Sequence, residues 1–144
     1  MSFFTSEGVA IAAGYDQADR FLTDVRRHEW PIYPLRHANG RHLYSAAELA
    51  IAAVVNRLIC FGVPAAKIGP VLRRINNETL AAAVDRVAGG EERLLVVVIP
   101  AFEGDPTDAA TAVHSYRDAA EILEIEGDAL MVDLTDFARG FVVC

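Results

Sequence analysis

Four histidines and two cysteines are the side chains of this 144-residue chain with the widest chemical reach. His37 and His42 flank an Asn39-Gly40 pair, with His28 and Cys60 elsewhere, and imidazole with thiolate suits zinc. Zinc sites usually show in sequence as Cys-x-x-Cys or His-Glu-x-x-His, and neither spacing occurs, so no metal or other cofactor is expected. For acid–base chemistry the candidates are His114 with Asp108, Asp118 and Glu121. His114 and Asp118 stand four apart, which on a helix makes a surface pair the simpler reading. The sequence has no Gly-x-Ser-x-Gly, no phosphate-cradling glycine loop and no paired carboxylates at a telling spacing. The chain is therefore expected not to be an enzyme. Cys60 falls in an apolar stretch and reads as core, and Cys144 as a bystander.

The charges are distributed unevenly. Residues 1–77 hold nine Lys/Arg against six Asp/Glu, net +3, while residues 78–144 hold four Arg against fourteen Asp/Glu, net −10. All the histidines but His114 lie in the basic part. Two modules with different partners would produce this asymmetry, and so would an acidic module that only maintains solubility. With 53% apolar residues the chain can fill a core, and its length suits one domain or two small modules. Two distant cysteines suggest no disulfide framework, so a reducing, cytoplasmic setting is expected. The apolar runs are short and interrupted, and the first residues do not resemble a signal peptide, so no membrane partner is expected.

Local signals divide the chain into elements. Thr5 or Ser6 can cap a helix running to about Ala13, with Glu7 in its first turn and Gly14 ending it. Asp16 or Gln17 opens a second helix with Phe21, Leu22 and Val25 on one face, ending near Trp30-Pro31. Asn39-Gly40 between Tyr33/Leu35 and Leu43/Tyr44 predicts a hairpin within residues 31–44. Ser45 and Glu48 form a capping-box pattern before a helix burying Leu49, Ala52, Ala53 and Leu58 and stopped by Gly62. After Pro64 a further helix places Ile68, Val71, Leu72 and Ile75 on one face, with a kink or late start expected at Gly69-Pro70. A short helix over Asn77–Ala88 ends at Gly89-Gly90.

Helix, glycine turn, helix, basic hairpin and capped helix is the order of a winged helix-turn-helix, and here the chain resembles the MerR family of transcription regulators. The matching residues are Val9-Ala10-Ile11-Ala12-Ala13-Gly14, Phe21-Leu22 through Arg26-Arg27, and Pro34-Leu35-Arg36. Gly40-Arg41-His42-Leu43-Tyr44-Ser45 with Ala47-Glu48-Leu49 is the most specific segment. Arg57-Leu58, Phe61-Gly62-Val63-Pro64, Ile68 and Leu72 extend the resemblance, which covers residues 4–75. It implies a DNA-binding domain over residues 1–76, sequence-specific and non-catalytic, acting on double-stranded DNA.

In that arrangement the second helix enters the major groove and the wing lies against phosphates. Gln17 and Arg20 become candidates for base edges, since an amide reads adenine and a guanidinium reads guanine. Arg26, Arg27, Arg36, His37 and Arg41 become candidate phosphate contacts, and Tyr44 packs the base of the wing with its hydroxyl near the backbone. Asp16, Asp19 and Asp24 repel phosphate, so either they face away from the duplex or the domain binds protein instead, RNA polymerase being one such partner.

The family usually dimerises through a long coiled-coil helix, whereas residues 77–90 supply only about three turns and a Gly-Gly linker. Residues 91–144 are expected to form an acidic α/β module, giving an α+β chain. Strand Leu94–Ile99, a helix from Asp105-Pro106-Thr107 to Leu123 and strand Ala129–Leu134 suggest a parallel strand–helix–strand crossover. Two strands alone leave a Val/Ile face wet, so the module is expected to make the protein a homodimer. The sequence does not decide residues 135–144.

Overall fold

In the computed structural model the first helix starts on its expected cap. Residues 3–73, 75, 77–88, 95–98, 110–113, 117, 120 and 130–134 are described. The chain is mixed α+β and divides into two units, Met1–Gly69 and Pro70–Cys144.

In the first unit, strand β1 (Phe4–Thr5) runs directly into helix α1 (Ser6–Ala12). Thr5 Oγ1 accepts the Gly8 N–H at 3.2 Å, satisfying one of the free amides of the first turn. The helix closes by the two-bond motif of a left-handed terminus: Gly14 N–H to Ile11 O and Tyr15 N–H to Ala10 O, each 2.9 Å. Gly14 is required there twice over. Its φ is +86°, and a Cβ would stand 2.5 Å from Asn56 Oδ1.

Helix α2 (Ala18–Arg27) closes in the same way, with Trp30 N–H to Val25 O at 3.0 Å, but its left-handed residue is Glu29 at φ 53°. Phe21 and Val25 point into the core, as their spacing predicts. Around Phe21 lie Tyr15, edge-on at 5.3 Å between centroids, and Trp30 at 6.5 Å. The Trp30 indole N–H reaches the carbonyl of Ala65 at 3.4 Å, so this buried donor is not wasted.

Strands β2 (Arg36–Ala38) and β3 (Arg41–Tyr44) form the expected hairpin, with His37 opposite His42 and Ala38 opposite Arg41. Asn39 and Gly40, both at positive φ (53° and 74°), make the two-residue turn that suits the twist of a hairpin. The sheet has a third strand that local pattern does not reveal: β1 pairs with β3, Phe4 opposite Tyr44, giving the order β1-β3-β2. Two residues are too short to carry a period, and their pairing is decided by where β3 happens to lie.

Helix α3 (Ala46–Cys60) is the centre of the unit. Seven consecutive residues, Leu49 to Val55, are buried, so this middle stretch of the helix is covered on all sides. Five of the first eight residues after Ser45 are alanine, and α1 packs against this helix. Ser45 Oγ accepts the Glu48 N–H at 3.4 Å, half of the expected capping box. The other half is redirected. Glu48 Oε2 accepts the Tyr33 N–H at 3.3 Å and so ties the lead-in of the hairpin to the start of α3.

Helix α4 (Ala65–Leu72) begins directly after Pro64 and continues through Pro70, so the late start expected at Gly69-Pro70 does not occur. Pro70 lacks the amide that would bond the carbonyl of Ala66, and the boundary between the two units falls at this residue.

The second unit corrects the expected topology. Helix α5 (Asn77–Ala88) packs against β5 (Ala110–Val113), which lies inside the expected helix Thr107–Leu123. Only Arg117 and Ala120 of that stretch are described as helical. Strands β4 (Leu95–Val98) and β6 (Leu130–Asp133) fall where expected, but β4 is the middle strand of the order β5-β4-β6 and both its partners are antiparallel. The parallel strand–helix–strand crossover is thus overturned. Ala110-Thr-Ala-Val has no strong intrinsic preference, and pairing with the all-aliphatic β4 decides its conformation. Leu80, Val84, Val132 and Leu134 are buried in this unit. Residues 135–144 lie outside the described residues, as do His114, Asp108, Asp118, Glu121 and Cys144.

Candidate nucleic-acid interface

The outer face of α2 is set by what its inner face must bury. With Phe21 and Val25 in the core, Gln17, Asp19, Arg20, Thr23, Arg26 and Arg27 are exposed. Gln17 is the N-cap residue, and its side chain makes no capping hydrogen bond to the first turn of α2. Arg26 and Arg27 occupy the last turn, where a cation also favours the negative end of the helix.

Two shallow clefts bracket this face. One, about 310 Å³, is lined by Asp19, Arg20, Thr23, Asp24 and Arg27. The other, about 250 Å³, brings the first turn of α2 (Ala18, Asp19, Leu22) opposite the hairpin turn (Gly40, Arg41, His42). Arg20 and Arg27 thus line one cleft and Arg41 the other, and Asp19 belongs to both. Arg36 and His37 sit on β2, paired in register with Leu43 and His42.

Tyr44 is different. It is 2% exposed, so it holds the base of the hairpin and has no hydroxyl to offer a duplex. The acids are not segregated from the bases: Asp19 and Asp24 line the same cleft as Arg20 and Arg27. Asp24 has a partner that sequence spacing did not reveal. Tyr15 Oη donates to Asp24 Oδ2 at 2.6 Å, across the turn between α1 and α2. Burial, then the hydrogen bond and charge of Asp24, hold the Tyr15 phenol well above its ordinary range, and the Arg20 charge acts in the opposite direction.

Glu48 is the second perturbed group. Burial pushes its carboxyl from 4.5 up to about 7, against the opposing pull of the Tyr33 N–H. Its place behind the hairpin makes it a support and not a contact. Cys60, expected as core, is exposed, with its thiol 3.7 Å from Asn56 Oδ1. Several large apolar side chains are also exposed, among them Ile11, Tyr33 (65%), Leu35 and Phe61 (61%). Among the described residues no group of three His, Cys, Asp or Glu side chains comes together to hold a metal, and no helix is long and apolar enough to cross a membrane.

No protein-family model and no curated protein matches this chain.

Proposed function

We propose that residues 1–69 form a winged helix-turn-helix of the MerR type that binds double-stranded DNA sequence-specifically, and that the chain regulates transcription in the cytoplasm without catalysis. The observation that carries the reading is the cleft joining the first turn of α2 to the hairpin turn, because it puts a helix able to enter a major groove beside a cationic wing tip. Gln17 and Arg20 face base edges, while Arg26, Arg27, Arg36, His37 and Arg41 contact phosphates. A homodimer through the second unit would present two such surfaces to a two-fold site. The basis for dimerisation is the described sheet, in which β5 and β6 are the edge strands, because a sheet edge is where a strand of a second copy can pair.

Duplex binding measured across salt concentration tests the reading, since phosphate contacts make affinity fall steeply as salt rises. Arg41→Ala should weaken binding to all duplexes evenly. Arg20→Ala or Gln17→Ala should also relax sequence preference, by about 1–3 kcal/mol for a bidentate base contact. Wild-type binding that ignores salt, or survives Arg20→Ala, Arg36→Ala and Arg41→Ala unchanged, refutes it. Sedimentation of the full chain over a concentration range tests the homodimer. A second reading, binding to another protein such as RNA polymerase, is favoured by the exposed Tyr33, Leu35 and Phe61, because large exposed apolar side chains suit a protein partner better than phosphate.

A further inference from the structure

We propose that Asp24, fixed by Tyr15, is a positioning residue that holds the Arg20 guanidinium for two-point recognition of a guanine; this deepens, and rests on, the DNA-binding reading of α2. Asp24 lies one helical turn beyond Arg20, the spacing at which two side chains of a helix meet, and both line the same cleft. The Tyr15 hydroxyl donates to Oδ2 of the carboxylate at 2.6 Å, which leaves Oδ1 for a second donor. Tyr15 is itself held firmly, by its edge-on contact with the buried Phe21 and by its backbone N–H to Ala10 O. Arg20 is close enough for its charge to be felt at the phenol, so the three groups share one electrostatic neighbourhood.

A carboxylate on a DNA-facing helix repels phosphate, and an acid kept for solvation needs no tyrosine to hold it. A guanidinium has five N–H donors, of which two suffice for guanine O6 and N7. The remaining donors can satisfy Oδ1. With its charge offset by Asp24, Arg20 loses its attraction for any phosphate nearby and keeps the directional bonds that read a base. The acid then works as a device for specificity at some cost in general affinity.

Selection from a random-sequence duplex pool, run on the full chain and on four variants, tests this. Wild type should enrich a site with a guanine that Arg20→Ala no longer selects, and Asp24→Asn should lose discrimination at that same position by about tenfold or more. Tyr15→Phe, which keeps the ring against Phe21, should lose it in part. Arg41→Ala should lower affinity while leaving the selected sequence alone. Binding of non-selected duplex by Asp24→Asn should stay level or tighten. If Asp24→Asn and Tyr15→Phe both retain the guanine while binding every duplex more tightly, Asp24 is merely a repelling charge and the proposal fails alone. A wild type that enriches no sequence and shows no salt-dependent binding removes the DNA reading itself, and this inference with it. Thermal unfolding of each variant identifies any that misfolds; should Asp24→Asn do so, Tyr15→Phe decides.

Discussion

Helices α2 and α3 are neighbours in sequence order and opposites in composition. In α3 the residues from Leu49 to Val55 are all buried, and over that stretch the helix is apolar on every side. In α2 only Phe21 and Val25 are buried, and apart from Ala18 and Leu22 the remainder is charged or polar. The contrast separates two tasks within one small unit. One helix organises the core so that the other can keep a polar face ready for a partner. A helix as polar as α2 has little reason to be stable alone, and its stability comes from the Tyr15–Phe21–Trp30 cluster that anchors it.

That division can be tested by how unequally the two helices tolerate change. The largest effect is expected in α3: Ile51→Ala, at a fully buried site, should cost about 2–5 kcal/mol in denaturant unfolding, whereas exposed α2 substitutions such as Arg26→Ala should stay within about 0.5 kcal/mol. Equal losses would erase the distinction.

Next comes the seam where α1 ends on α3. Gly14→Ala combines a left-handed backbone with a Cβ only 2.5 Å from Asn56 Oδ1, and should cost about 1–3 kcal/mol. Removing the steric part by Asn56→Ala should make the double variant less unstable than the two single losses added together. Strict additivity would mean that only the backbone matters at Gly14.

The third test concerns Glu48 at the first turn of α3. Its carboxyl binds a proton more tightly in the folded chain, at about 7, than at its ordinary 4.5. Its stabilising contribution is therefore complete below about 4.5 and is lost as pH rises through about 7. Glu48→Gln keeps an acceptor for the Tyr33 N–H but has no charge to desolvate. Relative to this variant, wild type should lose melting temperature steadily between those pH values. Parallel profiles would show that the carboxylate is better solvated than its burial indicates.

The smallest effect is expected at the end of α2, where Glu29 holds a left-handed conformation that α1 and α3 assign to Gly14 and Gly62. Glu29→Gly should raise stability by about 0.5–1 kcal/mol, read as a small increase in unfolding midpoint. A loss would mean that the side-chain interactions of Glu29 outweigh its backbone strain.

The candidate interface was legible only in part. Gln17, Arg20, Arg26, Arg27 and Arg41 are exposed as their positions suggested, since helical period alone assigns Phe21 and Val25 to the core and these to the outside. Tyr44 packs the base of the hairpin as its place at the foot of β3 suggested, and it is buried there. The Tyr15–Asp24 bond carries no periodic signal, because it spans a turn between two helices whose crossing is set by the core.

The sequence by itself determined what depends on neighbours along the chain: the caps at Thr5 and Ser45, the Asn39-Gly40 turn, the glycine-terminated helices α1 and α3, and the amphipathic face of α2. Each rests on interactions within a few residues, so its energy is nearly complete in the local sequence. Tertiary structure alone decided the pairing of β1 with β3, the turning of Glu48 toward Tyr33, the meeting of the first turn of α2 with Arg41 of the hairpin turn, and the antiparallel sheet in which Ala110–Val113 becomes a strand. All of these join groups far apart in the chain. Strand pairing and side-chain partnership draw their free energy from whichever edge or donor the fold brings near, and a local pattern as neutral as Ala-Thr-Ala-Val yields to it.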